Sequence, residues 1–528
     1  MANGQVLIEF PTQGVPLGLP KTVNSLCPKC KKVIKARILE EDGKIVMRKK
    51  CKDHGDCYDI VYNHAELYKK IEKWAFEDAP GLTNPKIKNA TRCPQQCGLC
   101  NMHYSRSCLT NIDLTNRCNL RCPICFANAN VQGYVYEVTL DQVKKMLEEV
   151  IKQNAPQETH VIQFSGGEPT IHPQFLECIK AAKDLSFAHI QIASNGIKIA
   201  NDLEFAKKCK ENGLYTVYLQ FDGVDEDSVY KSTRGVPLWE TKKKAIENCR
   251  KAGLKVVLVP TLVNTINDDQ VGKILQFAID NCDVISGISY QPVAFTGRIS
   301  EKERLKHRYT LSDLAFDIEK QTGYAKAMED WYPLSITTPY SKFVSKLNDY
   351  LTINLSCHSN CGIGTYLLVN RKTKQTIPIT QILNVEAIFN ELNEFIKENK
   401  VNFKPYLKFM MIYLLRKHFK RNVENLSLVD LYKATYGVAK KENKTEWTLL
   451  LVAGMHFQDC YNYNIDRVKR CVIHYSAPNG LIYPFCTYNS GPTFREMIEK
   501  KFSISLEEWQ KKKGTTYVTS GFYGGRGK

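Results

Sequence analysis

The pattern of apolar and polar positions between residues 111 and 300 alternates between two periods. Short apolar runs with strand character are followed by longer segments in which apolar residues recur at helical spacing. The runs predicted as strands are 112–114, His160–Phe164, His189–Ala193, Thr216–Phe221, Lys255–Thr261 and Val284–Tyr290. The segments predicted as helices are 139–154, 173–184, 202–213, 238–252 and 268–281. This alternation predicts an α/β fold with a parallel sheet and right-handed crossovers, built from βα units.

The rest of the chain lacks this alternation, and 528 residues are too many for one ordinary core. A β-rich segment between two cysteine pairs predicts a small module over residues 1–80. A cysteine-rich segment follows over 81–110, and the barrel-like repeat occupies 111–300. We expect an α+β C-terminal domain over 301–528.

The composition is that of a globular protein, with 43% hydrophobic and 24% charged residues. No apolar run reaches the ~18 residues that span a bilayer, and the N-terminus lacks the pattern of a secretion signal. The net charge of +18 favours an anionic partner, and a generally lysine-rich surface is the alternative. Because no clustered arginine patch or stacking-aromatic motif is present, we expect no nucleic acid. The prediction is a cytoplasmic protein, in solution or peripheral at the membrane.

The strongest chemical signal is the spacing C-x3-C-x2-C at Cys118, Cys122 and Cys125. Thiols of a cytosolic chain stay reduced, so short-spaced cysteines predict metal sites. Three thiolates on one tight loop can bind three irons of a 4Fe–4S cluster and leave the fourth iron open to a chelating ligand. A structural zinc loop is the alternative, but zinc normally takes four protein ligands in such sites.

Glycines and polar residues follow the predicted strands, at the edge where parallel barrels carry their sites. Gly166-Gly167-Glu168-Pro169 comes directly after the strand that ends at Phe164. Ser194 and Asn195 follow the next strand. The remaining candidate site residues at this edge are Gln220, Asp222, Arg234, Pro292 and Val293. An ordinary turn or helix cap is the alternative for each single polar residue.

The cysteine loop, the GGEP motif and the βα repeat resemble the radical S-adenosylmethionine (SAM) superfamily. The resemblance implies a partial (β/α)6 barrel and a 4Fe–4S cluster on Cys118, Cys122 and Cys125 whose open iron binds SAM. An electron from the cluster would split SAM into methionine and a 5′-deoxyadenosyl radical. The residues then expected to contact SAM are Phe126, Gly166, Gly167, Glu168, Ser194, Asn195, Gln220, Asp222, Arg234, Pro292 and Val293.

Three further cysteine groups predict metal sites. The first, similar in spacing to a rubredoxin or zinc ribbon, predicts one mononuclear iron or zinc on Cys27, Cys30, Cys51 and Cys57. The second predicts an auxiliary 4Fe–4S cluster on Cys93, Cys97, Cys100 and Cys108. The third predicts another cluster on Cys357, Cys361, Cys471 and Cys486, with Cys460 the least certain exclusion. Cys93, Cys97 and Cys100 repeat the C-x3-C-x2-C spacing, but turn-like sequence precedes them, and a strand-like run precedes Cys118.

Residues 401–420 form a broad apolar helical pattern framed by lysines and arginines. A buried core helix is one interpretation, and a helix facing lipid is the other. The ribbon, the cysteines before the SAM loop and the segment from Gly454 to Asn489 resemble an archaeal group that includes tetraether lipid synthases. Related proteins are described as methylases of the methanopterin cofactor.

The lipid resemblance implies an enzyme that joins the terminal methyl carbons of archaeol phytanyl chains by radical hydrogen abstraction. Its partners would be an archaeal phospholipid and a low-potential electron donor. The alternatives are a pterin methylase, a peptide maturase and, from a non-enzyme class, an RNA-binding protein.

Overall fold

The computed structural model describes residues 15–75, 81–130, 133–398, 403–420, 426, 431 and 446–513. The strands of the N-terminal sheet are β1 (Lys21–Leu26), β2 (Val33–Glu41), β3 (Lys44–Cys51) and β4 (Gly55–Tyr62). The strands before residue 300 are β5 (Leu109–Thr115), β6 (Tyr134–Tyr136), β7 (Val161–Gly166), β8 (His189–Ser194), β9 (Thr216–Gln220), β10 (Lys255–Val259), β11 (Thr261–Leu262) and β12 (Ile285–Pro292). The later strands are β13 (Tyr332–Pro333), β14 (Gly362–Asn370), β15 (Thr376–Pro378), β16 (Trp447–Met455), β17 (Ile473–Ser476), β18 (Ile482–Pro484) and β19 (Ser503–Ser505).

The α-helices fall between and after these strands. Those before residue 300 are Ala65–Glu72, Leu140–Asn154, Phe175–Asp184, Ile197–Asn201, Leu203–Glu211, Asp227–Arg234, Trp239–Ala252 and Val271–Asp280. Those after it are Arg304–His307, Leu311–Thr322, Ala327–Asp330, Thr338–Asn348, Ile379–Ile382, Val385–Glu398, Lys404–Lys417, Ile465–Lys469, Phe485–Asn489, Phe494–Lys501 and Leu506–Lys513. In the described part of the chain, no helix is long and apolar enough to cross a membrane.

The N-terminal module is a four-stranded antiparallel meander in the order β1-β2-β3-β4. Its strands bury one face, which carries Ile38, Ile45 and Met47, against the helix Ala65–Glu72. A fully buried network of Asp59, Arg308 and Asp459 ties the module to the C-terminal part of the chain. The module is therefore packed onto the main body.

The barrel prediction is confirmed. Strands β5, β7, β8, β9, β10 and β12 pair in parallel in that order along the sheet. Their apolar positions are almost fully buried, because helices cover one face and the barrel interior takes the other.

The C-terminal strands extend both edges of the barrel sheet. Strand β16 pairs in parallel with β12, and β14 pairs with β16 in an antiparallel direction. At the opposite edge β17 pairs in parallel with β5. The predicted division at residue 300 therefore cuts through one continuous sheet.

The helix Lys404–Lys417 lies in a separate small core. Its buried side chains, Leu407, Met411 and Leu414, pack with the core around Trp447, whereas Phe409 and Ile412 are more than half exposed. The helix is thus a core helix on one face only. It does not line the cavity described below.

Candidate active site

A cavity of about 230 Å³ opens at the carboxyl ends of the barrel strands. All but one of the residues predicted to hold the SAM cluster or SAM line this cavity. These are Cys118, Cys122, Cys125, Phe126, Gly166, Gly167, Glu168, Ser194, Asn195, Gln220, Arg234, Pro292 and Val293. The exception is Asp222.

The glycine pair brings the end of β7 against the backbone that leads into Cys118. Gly167 N donates to Thr115 O at 2.7 Å, and Glu168 N donates to Arg117 O at 2.9 Å. A Cβ on Gly167 would lie 2.1 Å from Arg117 O, and one on Gly166 would lie 2.3 Å from Thr115 O. Only glycine permits this contact, and Gly166 also has a φ of +128°.

Two clamps hold the cysteine loop. The Asn130 side chain accepts from Cys118 N at 2.9 Å and donates to Cys118 O at 2.7 Å. Cys125 and Arg298 exchange backbone hydrogen bonds of 3.1 and 2.8 Å. The three thiols are therefore held on one wall of the cavity, as the ligand set of a cluster requires. Neither Asn130 nor Arg298 was predicted, because both lie outside the motif.

Glu168 links the ends of two strands. Its carboxylate accepts from Thr170 Oγ1 at 2.6 Å, from Ser194 Oγ at 2.8 Å and from Asn195 N at 2.8 Å. Burial raises the pKa of Glu168, although these hydrogen bonds oppose the shift. Glu168 therefore has a structural role, because its hydrogen bonds fix the positions of Ser194 and Asn195.

Asp222 is placed differently from the prediction. It is fully buried, and its carboxylate takes two hydrogen bonds from Arg234, at 2.6 and 3.0 Å, with a further one from Thr233. Despite the cost of burial, Arg234 lowers the pKa of Asp222. Asp222 therefore has no free oxygen for a ribose, and its role is to orient Arg234. Arg234 itself faces the cavity and donates to Ile124 O at 3.2 Å.

Lys242 lies beneath the cavity floor and was not predicted. Its ammonium donates to Asn195 O at 2.6 Å and to Gln220 Oε1 at 2.8 Å. Burial lowers the pKa of Lys242 to about 7. A lysine in the first turn of a helix carries no motif, so only the fold reveals that it supports two cavity residues.

The C-terminal segment forms the opposite, aromatic wall. Phe457 and Phe485 stack with ring centroids 3.7 Å apart, and Phe126 lies 5.7 Å from Phe485. Tyr475 and Asn489 complete this wall. The sequence marked the segment 454–489 as distinctive but did not indicate that it covers the barrel.

The ribbon gathers Cys27, Cys30, Cys51 and His54, whose donor atoms all lie within 4.8 Å of one another. Cys57, the predicted fourth ligand, instead pairs with Lys49 across β3 and β4, outside this group. A tetrahedral metal at about 2.3 Å from sulfur and about 2.05 Å from nitrogen separates two sulfurs by about 3.8 Å and sulfur from nitrogen by about 3.6 Å.

The observed spacings match that geometry. Cys30 Sγ lies 3.8 Å from Cys51 Sγ, and His54 Nδ1 lies 3.6 Å from Cys27 Sγ and 3.5 Å from Cys51 Sγ. Burial opposes ionisation of Cys27, but backbone N–H groups of Cys30 and Lys29 lower its pKa to about 6. These donors fit one tetrahedral metal with His54 in place of Cys57.

The auxiliary cysteines are grouped differently from the prediction. Burial raises the pKa of Cys93, and Cys97 and Cys100 raise it further, so these thiols are neighbours. Cys108 instead donates to Asn354 O at 2.8 Å, beside the Cys357 loop. Cys486 lines the SAM cavity, and the next residue, Thr487, lies 3.5 Å from Cys97 Sγ.

Comparison with known proteins agrees with the barrel. The family model described as the radical SAM superfamily matches residues 112–278. A second one, described as the HMPTM N-terminal zinc ribbon domain, matches residues 19–63. The chain is therefore a member of the radical SAM superfamily with an N-terminal zinc ribbon.

A relative defines the family more narrowly. The chain is 45% identical over 506 residues to the 7,8-dihydro-6-hydroxymethylpterin dimethyltransferase of Methanocaldococcus jannaschii, and the match covers 93% of this chain and 97% of the relative. The chain belongs to the family of that protein. The Fe-coproporphyrin III synthase of Methanosarcina barkeri is 28% identical over 174 residues, which cover 31% of this chain and 41% of that relative.

Solved structures match the chain only in part. The hydrogenase maturase HydG has a TM-score of 0.34 at 16% identity, over 41% of this chain and 50% of its own. Methylornithine synthase has a TM-score of 0.32 at 15% identity, over 41% of this chain and 63% of its own.

The family membership corrects the lipid prediction. The relative that spans nearly the whole chain is a pterin dimethyltransferase, so the tetraether lipid synthase interpretation is wrong. The predicted phospholipid partner is therefore wrong as well. The apolar helix that suggested lipid belongs to a separate core, as described above.

Proposed function

We propose that this chain is a radical SAM methyltransferase that acts on the ring of 7,8-dihydro-6-hydroxymethylpterin. The observation that carries the proposal is the identity of 45% to a dimethyltransferase of that pterin, sustained over 93% of the chain. Because the match covers 93% of the chain, it extends well beyond the barrel.

The cavity lining supports a polar ligand. Gln220 Nε2 and Arg298 Nε are buried in residues that line the cavity and have no hydrogen-bond partner among the described residues. Buried donors without partners are costly, so such groups point to a ligand that accepts from them. SAM and a pterin both carry such acceptors, whereas a phytanyl chain carries none.

The aromatic wall supports a flat ring beside the cluster loop. Phe126 projects from the loop itself, and the stacked pair Phe457 and Phe485 faces the cavity from the C-terminal segment. Planar rings pack well against aromatic faces, while nearby amides such as Asn489 can fix the orientation of a polar edge. These residues would hold the pterin within reach of SAM.

In this proposal Cys118, Cys122 and Cys125 hold the 4Fe–4S cluster, which supplies the electron that cleaves SAM. Gly166 and Gly167 let the end of β7 pack against the backbone that leads into the cysteine loop, and Arg234, held by Asp222, presents a cation to the cavity. Glu168 and Lys242 fix Asn195 and Gln220 beneath the ligands. The aromatic wall excludes water from the radical.

We also propose which residues bind the remaining metal cofactors. Cys93, Cys97 and Cys100 would hold an auxiliary 4Fe–4S cluster, and Cys27, Cys30, Cys51 and His54 would hold zinc. A low-potential electron donor would reduce the SAM cluster.

The test is an anaerobic incubation with SAM, a reductant and either the dihydropterin or archaeal phospholipid. We expect 5′-deoxyadenosine and, with the pterin, mass gains that correspond to one and two added methyl groups. SAM with a deuterated methyl group reports whether SAM supplies those carbons. If 5′-deoxyadenosine forms but the pterin mass does not change, the proposed substrate is wrong and the radical SAM assignment stands.

A further inference from the structure

We propose that Lys242 is a positioning residue for SAM, which fixes the side-chain amide of Gln220 so that its N–H group, and not its oxygen, faces the cavity. This role concerns SAM and is independent of the substrate that the enzyme modifies.

The side chain of Lys242 is fully buried and bonded to neutral groups. Its Nζ donates to Asn195 O at 2.6 Å and to Gln220 Oε1 at 2.8 Å. Burying a lysine costs free energy that an apolar side chain of similar length would not cost. The two hydrogen bonds are therefore what Lys242 supplies at this position.

Close packing of the helix Trp239–Ala252 places Lys242 beneath the cavity. Lys242 lies in the first turn of this helix. Gly196, in the turn after β8, has a φ of +80°, and a Cβ there would lie 3.2 Å from Ala245 Cβ on the same helix. Glycine permits both the backbone conformation and the close approach. The approach brings Lys242 Nζ within reach of Asn195, the residue before Gly196.

The hydrogen bond from Lys242 determines which way the Gln220 amide faces. An ammonium group only donates, so the amide oxygen must face Lys242. The amide nitrogen, Gln220 Nε2, is buried in a residue that lines the cavity, and it has no hydrogen-bond partner among the described residues. A buried N–H group without a partner is costly, and an acceptor on bound SAM would satisfy it.

The other hydrogen bond of Lys242 connects Gln220 to the cysteine loop. Asn195, whose backbone oxygen accepts from Lys242, donates from its Nδ2 to Asn119 Oδ1 at 2.6 Å. Asn119 directly follows Cys118. A hydrogen-bonded path through Asn195 thus joins the loop, the turn after β8 and the end of β9. Lys242 therefore sets the position of the Gln220 donor relative to the loop that would hold the SAM cluster.

The charge of Lys242 determines the pH at which its role is tested. Burial lowers the pKa of Lys242 to about 7, while Asp222, Cys122 and Glu168 oppose this shift and Arg234 adds to it. The ammonium form therefore prevails at pH 6, and binding is measured at that pH.

The test is a double-mutant cycle that measures the Kd of SAM. Equilibrium dialysis uses the reconstituted enzyme in its oxidised state, because SAM is cleaved only after the cluster receives an electron. Lys242→Met and Gln220→Met should each raise the Kd about tenfold, the equivalent of one hydrogen bond. The double variant should also raise it about tenfold, because both substitutions remove the same donor from the cavity. The iron content should be the same in all variants.

Gln220→Glu tests the orientation of the amide directly. Glutamate keeps an oxygen for Lys242 but has no N–H group for the cavity, so this variant should lose as much SAM affinity as Gln220→Met. The control is Lys255→Met, because Lys255 donates to Asp283 O at 2.7 Å at the amino end of β10, away from the cavity. The control should bind SAM with unchanged affinity.

Unchanged SAM affinity in Lys242→Met or in Gln220→Glu would overturn the proposal. A loss of about a hundredfold in the double variant would also overturn it, because Lys242 would then act independently of Gln220. Near-ultraviolet circular dichroism reports folding in each variant. If Lys242→Met does not fold, Gln220→Glu and Gln220→Met decide the matter: equal losses support the proposal, and retained affinity in Gln220→Glu overturns it.

Discussion

The loops at residues 93–100 and 118–125 have the same C-x3-C-x2-C spacing in different surroundings. The second loop follows the carboxyl end of β5 and lines the cavity, with the glycine pair pressed against its backbone. The first loop precedes β5 and is packed in protein, where Cys97 and Cys100 are almost fully buried. A Cβ on its Gly98 would meet the side chains of Ile87 and Leu481.

The comparison shows that the spacing of the cysteines sets which irons of a cluster a loop can bind. The position of the loop in the fold determines which molecules can approach the iron that has no cysteine ligand. A parallel barrel presents ligands at the carboxyl ends of its strands. The loop at 118–125 is at that edge, so a small molecule can enter. At the first loop, protein side chains fill the space beside the cysteines, so a small molecule cannot enter. This environment suits an auxiliary cluster.

The largest expected effect separates the two loops. Cys118→Ala should reduce SAM cleavage to background, by roughly three orders of magnitude or more, because cluster ligands act as a unit. Cys93→Ala should keep much of the SAM cleavage but form little methylated pterin. Chromatography of 5′-deoxyadenosine and product measures both. An equal loss of cleavage in the two variants would contradict the assignment.

A smaller effect tests the contact that distinguishes the second loop. Gly167→Ala places a methyl group 2.1 Å from Arg117 O, so the backbone next to Cys118 must move. We expect SAM cleavage to fall at least about tenfold, the equivalent of about 1.4 kcal/mol in the barrier. The matched control is Gly253→Ala, where φ is +70° but no atom lies within 4 Å of the added Cβ. It should cost about 1 kcal/mol of stability and leave cleavage unchanged.

The ribbon offers a second case in which the fold, and not the spacing of cysteines, selects the ligands. His54→Ala should lower the bound metal from about one per chain to near zero, because it removes one of four tetrahedral donors. Cys57→Ala should leave the metal in place. Elemental analysis of the purified variants measures this. Loss of metal from Cys57→Ala alone would restore the tetrathiolate prediction.

A further effect concerns the residues that support β5, the strand that leads into the second loop. Arg495 forms a buried ion pair with Asp113 on this strand and lies 3.4 Å from Glu499. Burial raises the pKa of Glu499 to about 7, from an ordinary 4.5, with Asp113 adding to the shift and Arg495 opposing it. Between these pKa values the folded chain keeps a proton that the unfolded chain releases, so stability falls as pH rises.

Glu499→Gln removes this titration. Its stability relative to the unchanged chain should therefore increase from about pH 5 to about pH 8, by at most on the order of 3 kcal/mol. Thermal unfolding midpoints across that range measure the difference. Parallel pH profiles for the two proteins would contradict the raised pKa.

Local patterns were sufficient to predict the barrel and most of its site. Each βα unit has its own periodicity, and Gly166, Gly167 and the three loop cysteines form contiguous motifs. The pairing of β16 and β17 with the barrel edges could not be predicted, since it joins segments far apart in sequence. The aromatic wall was missed for the same reason.

The errors have equally physical causes. Asp222 follows a strand like a ligand-binding residue, but its partner Arg234 is twelve positions away and the ion pair exists only in the fold. His54 lies three residues after Cys51, a spacing typical of a ligand knuckle, yet four cysteines seemed to complete the site without it. The lipid interpretation relied on an apolar helix, and the sequence alone does not show where in the fold that helix packs.

The most direct test of the central claim is electron paramagnetic resonance of two matched variants, each with one C-x3-C-x2-C loop changed to alanines. Spectra of the reduced proteins are recorded with and without SAM. The signal of the variant that retains Cys118, Cys122 and Cys125 should change when SAM binds its open iron, and the other variant should show no change. A SAM-dependent change only in the variant that retains Cys93, Cys97 and Cys100 would contradict the account.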